Sequence, residues 1–216
     1  MTASRLFLLL ANTALVSLSF ASSASEVNVT GTITPSACVP SLSGEGSFHY
    51  GKIGSIELHP VHRTQFVSTR QLLSITCSAP TRFALRGIDG RSGSAEWPVQ
   101  DRHFGLGMNG AQKVGTYFVL VKAEGLALDG NTQVVRLRSA DNGVSWQRVP
   151  TSDSPLPNDG GAGLIGFALA GGVEPSATRL LKAVIEVDMH LAPGESLTLT
   201  DEVLIDGAAT LEVSYL

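Results

Sequence analysis

The sequence ends on Ala209-Thr210-Leu211-Glu212-Val213-Ser214-Tyr215-Leu216, in which Ala209, Leu211, Val213 and Tyr215 alternate with polar residues. A period of two describes a β-strand with one buried face. Asp206-Gly207 precedes it, a turn pair in which glycine takes positive φ at no steric cost, so the strand is expected to start from a hairpin-like bend. Such a strand needs a partner for its backbone. Either it lies inside a sheet of its own domain, or it forms an edge that accepts a strand from another protein.

Working outward, the other periodic segments also read as strands. Val27, Val29, Gly31 and Ile33 alternate with polar residues up to Pro35, Phe48–Ile53 forms a short strand, Gln65–Cys77 a long one and Arg82–Ile88 another. The centre is punctuated by Asp89-Gly90, Ser92-Gly93, Asn109-Gly110, Asp129-Gly130 and Asn142-Gly143. Between these turns lie Val114–Ala123, Thr132–Leu137, Trp146–Val149 and Leu164–Ala170, a spacing that predicts antiparallel hairpins. In Ala177–Leu191 a helical period competes through Leu180, Leu181, Val184 and Ile185. The β-branched alternation of its second half favours a strand. Pro193-Gly194 then leads into Leu197–Ile205. With no repeat and no linker, the pattern predicts an all-β antiparallel sandwich of about seven to ten strands.

The amino-terminal stretch, Met1 to Ala24, carries Arg5, no acidic residue and an apolar run from Leu6 to Phe20. It reads as a secretory signal peptide cut after Ala24, since the run is shorter than the ~20 residues of a membrane span. Residues 25–216 then form one exported domain without a membrane span. The formal net charge of −4, made more negative by loss of Arg5, excludes a basic nucleic-acid surface. Cys38 and Cys77 are the two cysteines. In an exported chain the simplest reading is one disulfide, tying the end of the first strand to the end of a long early one.

Ser139-Ala140-Asp141-Asn142-Gly143-Val144-Ser145-Trp146 matches the S-x-D-x-G-x-x-W Asp-box of sialidases and other propeller proteins. There the motif is a structural hairpin repeated once per blade. A single copy here predicts a hairpin tip and no catalysis. The histidines, His49, His59, His62, His103 and His190, lack the spacing of a metal site, and no nucleophile setting accompanies the serines. Gly105-Leu106-Gly107 lacks the third glycine of a phosphate cradle. Neither a catalytic residue, a metal nor a cofactor is expected.

The signal peptide, the run through Gly31-Thr32-Ile33 to Cys38, Cys77 and the alternating final strand with penultimate Tyr215 together resemble subunits of chaperone–usher fimbriae. The resemblance is closest to a GltF-like group of fimbrial-subunit-like secreted proteins. It is carried by Phe48-His49-Tyr50-Gly51-Lys52-Ile53, Cys77-Ser78-Ala79-Pro80-Thr81 and Thr200-Asp201-Glu202-Val203. Residues from about 90 to 175 carry no such mark. The resemblance implies an immunoglobulin-like, pilin-type sandwich lacking its last strand, completed first by a periplasmic chaperone and then, after the outer-membrane usher, by the arm of the next subunit. Leu211, Val213 and Tyr215 would line the groove edge, and Val27, Val29 and Ile33 would belong to the arm or first strand. The free arm is short, about six residues or roughly 20 Å of strand. The rival reading is a self-completed sandwich serving as a soluble periplasmic or cell-surface binding module.

Overall fold

The structure, a computed structural model, describes residues 37–98, 101–149, 154–158 and 160–216. The expected leader, Met1–Ala24, and the segment with Val27, Val29 and Ile33 lie outside the described residues. The strands are β1 (Cys38–Leu42), β2 (Thr64–Val67), β3 (Gln71–Thr81), β4 (Phe83–Asp89), β5 (Phe104–Gly105), β6 (Met108–Asn109), β7 (Gln112–Lys113) and β8 (Gly115–Val121). They continue as β9 (Ala127–Leu128), β10 (Val134–Ser139), β11 (Gln147–Arg148), β12 (Ser154–Pro155), β13 (Leu164–Leu169), β14 (Thr178–Leu191) and β15 (Ala209–Tyr215).

Two antiparallel sheets face each other, as the alternation predicts. One runs β1-β3-β14-β8-β12, with β2 and β9 also on β14 and β5 on β8; the other runs β11-β10-β13-β4-β15. β14 shows why. Leu181, Ala183, Ile185, Val187, Met189 and Leu191 are buried on its inner face, a period of two that a helix cannot produce. They meet Leu73, Ile75, Leu85, Phe104, Ile165 and Phe167 in one core cluster. Each large apolar side chain fully buried there contributes about 1.5–3 kcal/mol.

From Glu186 to His190 the outward residues of β14 are polar, and Glu186 is buried. The Glu186 carboxylate takes Lys122 Nζ at 2.7 Å and Arg70 Nε at 2.9 Å. Burial pushes this carboxyl up, but the hydrogen bonds from Lys122 and Arg70 prevail and hold it below its usual range. Trp97, Phe118 and His190 cover the neighbouring part of that face edge to face.

The expected disulfide is present, with S–S 2.03 Å, but its place differs from the expectation. Cys38 opens β1 and stands directly opposite Cys77 in the interior of β3, with Cα atoms 4.0 Å apart. Pro40 hid β1 in the sequence, although a proline is tolerated on an edge strand. Three further expectations are corrected. Gln65–Cys77 is split into β2 and β3 around Ser68–Arg70; neither Phe48–Ile53 nor Leu197–Ile205 is a strand. Finally, Asp206-Gly207 is no hairpin turn, since Gly207 is not among the positive-φ glycines and neither residue lies in a turn. Gly207 is required for space instead: a Cβ there would stand 2.8 Å from the Tyr117 ring.

The Asp-box caps the β10–β11 hairpin. Ser145 N–H donates to Asp141 Oδ1 at 2.9 Å, Ser139 Oγ donates to the same oxygen at 2.6 Å, and Trp146 Nε1 donates to the Gly143 carbonyl at 3.1 Å. Those bonds to Asp141, Ser139 first, pull its carboxyl down to about 2. Asn142 and Gly143 take positive φ at the tip. Gly143 also leaves room for the Leu216 side chain, which a Cβ would approach to 2.9 Å.

Candidate assembly groove

β1 ends one sheet and β15 ends the other, so the sandwich has one long side where two edges face each other. The phase of each ladder tells which backbone groups point there. Gly90 N–H donates to the Ala208 carbonyl and Leu216 N–H to the Arg82 carbonyl, so in β15 the even residues exchange bonds with β4. The N–H and C=O of Ala209, Leu211, Val213 and Tyr215 therefore point along the outer edge, which no described strand pairs. In β1 the bonds Ser78 N–H to Ala37 and Ser43 N–H to Leu72 put the odd residues on β3. Cys38, Pro40 and Leu42 thus face the open side.

Beyond these strands the two lips continue as chain without regular secondary structure. Phe48–Ile53 on one side and Leu199–Ile205 on the other lie outside every strand and make no backbone–backbone hydrogen bond among the described residues. Phe48, Tyr50 and Ile53 of the first lip nonetheless pack on the core, the positive φ of Gly51 shifting the alternation so that Ile53 and not Lys52 turns inward. Two side-chain bonds tether it: Tyr50 Oη donates to the Val187 carbonyl at 3.1 Å and Gln71 Nε2 to the Ser47 carbonyl at 2.6 Å. Burial pushes the Tyr50 hydroxyl up to about 12, so it stays a neutral donor at physiological pH.

Between the lips runs a groove of two adjoining hollows. The first, about 400 Å³, lies over Leu106, Val119, Ile185, Val187 and Met189, with Leu211 on its wall. The second, about 890 Å³, lies over Val114, Leu191 and Leu197, and shares Phe48, His49, Tyr50 and Ile205 with the first. Lys52 Nζ and Glu202 Oε1 pair across the lips at 2.8 Å; at this exposure the pair contributes little. Ile56 and Leu204, 95% and 77% exposed, stand beside the mouth as apolar side chains without cover.

Of the residues expected at this edge, Leu211 lines the groove, while Val213 packs against the core cluster without lining it. Tyr215 is 54% exposed, and its Oη accepts the Cys38 N–H at 2.9 Å. The floor residues Val119, Val187 and Met189 escaped the sequence reading as groove residues. Their alternation marks them as buried without telling under what. Among the described residues no cluster of three His, Cys, Asp or Glu side chains could hold a metal ion, and no helix is long and apolar enough to cross a membrane.

Comparison with known proteins finds one family and two relatives. A protein family of unknown function, DUF1120, matches residues 27–103, a stretch with both cysteines and the first lip. The uncharacterized protein YhcF of Escherichia coli (strain K12) is 26% identical over 220 residues, 88% of this chain and 90% of YhcF. The protein GltF of the same organism is 36% identical over 70 residues, 31% of this chain and 28% of GltF.

Proposed function

We propose that the protein is an exported structural subunit of a chaperone–usher fimbria, completed by a strand that another protein adds at the edge formed by β15. The observation that carries this reading is the open side of the sandwich, where unpaired backbone on both lips lies above an apolar floor. β-augmentation needs these two things together: main-chain groups for the ladder and pockets for alternate side chains. The similarity to GltF over 70 residues supports the resemblance noted in the sequence. On this reading the partners are a periplasmic chaperone, an outer-membrane usher and other subunits. Head-to-tail addition of strands is heterologous and builds a filament.

One observation favours the rival, a self-completed binding module: the Tyr215–Cys38 bond already links the two edge strands at one end. Periplasmic expression separates the two readings. Alone, the protein is expected to accumulate poorly, because the groove exposes apolar surface. A co-expressed chaperone should restore it and co-purify with it, and Leu211→Asn should abolish both effects. Equal accumulation of soluble monomer with and without the chaperone overturns the proposal in favour of the binding module.

A further inference from the structure

The groove is not equally open along its length. At the Cys38 end every backbone donor that β1 could offer is gone: Tyr215 Oη holds the Cys38 N–H at 2.9 Å, and Pro40 has no N–H. Leu42 is the first residue of β1 with a donor facing the open side, and it already lines the hollow above Val119, Val187 and Met189. On the β15 side the same boundary recurs, since Ala209 and Leu211 line the hollow whereas Val213 and Tyr215 do not.

We propose that Tyr215 and Pro40 form a stop, which confines an added strand to the half of the edge running from Leu211 back to Val203. The occupant it fits is the segment Val27–Ile33 of a second copy of this chain. This inference rests on the groove being an assembly site. The segment is short, about 23 Å at strand rise, has no charged residue, and presents Val27, Val29 and Ile33 on one face. A stopped groove matches it where a full-length groove would leave its floor partly bare. A second copy is the source because Ala37, to which the segment joins, is held by Ser78 at the stopped end. A strand from a second copy can enter the open half without doubling back past Tyr215 and Pro40.

The test is amide-resolved hydrogen exchange on the full chain, with and without a saturating synthetic peptide of residues 25–34. Exchange at Ala209 and Leu211 is expected to slow at least tenfold, while Val213 and Tyr215 keep their rates. In Tyr215→Phe combined with Pro40→Ala the slowing should extend to Val213, Tyr215 and Cys38; Tyr215→Phe alone, the milder change, should extend it to Cys38. Slowing of Val213 and Tyr215 in the unaltered chain, or an unmoved boundary in both variants, overturns the stop and leaves the groove reading intact. No slowing anywhere along β15 overturns this occupant, while the groove reading stands or falls on the chaperone co-expression.

Discussion

The Tyr215 hydroxyl accepts the Cys38 backbone N–H at 2.9 Å across 177 positions of sequence, joining the last strand of one sheet to the first strand of the other. The bond is solvent-accessible, so Tyr215→Phe should cost about 1 kcal/mol or less. Urea unfolding measures it.

The disulfide beside that bond matters more. Cys38 and Cys77 close a loop of 39 positions, and the chain-entropy model gives roughly 4 kcal/mol for a loop of that size. Thiol labelling of the unfolded, unreduced protein should find no reactive cysteine, and reductant should lower the unfolding free energy extrapolated from urea by about that amount.

The Asp-box gives a pH prediction. Asp141 titrates near 2 in the folded chain, below its unfolded value near 3.8. Its contribution is therefore complete above the unfolded pKa and is lost as pH falls from 3.8 through about 2. Asp141→Asn should flatten the fall in melting temperature across that window, and Asp141→Ala should lower the melting temperature at pH 7. Because Leu216 packs over Gly143, the alanine variant should also speed exchange of the Leu216 amide.

Glu186 makes the opposite kind of site, a buried carboxylate held by two cations. Lys122→Met leaves the charge with Arg70 alone and should destabilise by about 3 kcal/mol, the low end for breaking a buried pair. Replacing both Lys122 and Glu186 by apolar residues of similar volume should cost less than either single change, which a double-mutant cycle in urea decides.

Much of this fold was legible because alternation reports which face of a strand is buried. β14 follows from it directly, and β10 and β13 from their place between turn pairs; β15 is a strand as read, but its apolar residues are only partly covered, with Ala209 and Tyr215 exposed. The same signal misled at Phe48–Ile53 and Leu197–Ile205. In the first of these Phe48 and Tyr50 point inward as read, but Gly51 at positive φ breaks the alternation and turns Ile53 inward in place of the exposed Lys52. Neither Phe48–Ile53 nor Leu199–Ile205 has a strand beside it, and burial of side chains says nothing about pairing. That mismatch is itself the groove. The two ends of the disulfide were legible as a pair, but not their direct opposition, because Pro40 and the exposed Val39 conceal β1. The stop at Tyr215 depends on ladder phase, which no single segment of sequence encodes.

The most direct test of the open groove is to complete it. A chain extended after Leu216 by a flexible linker and a second copy of residues 25–34 can lay that strand along β15, turning a bimolecular contact into an intramolecular one. The account predicts a monomer whose urea midpoint is clearly higher than that of the unextended chain, with the Leu211 amide protected. The same midpoint and the same Leu211 exchange in both chains would contradict it.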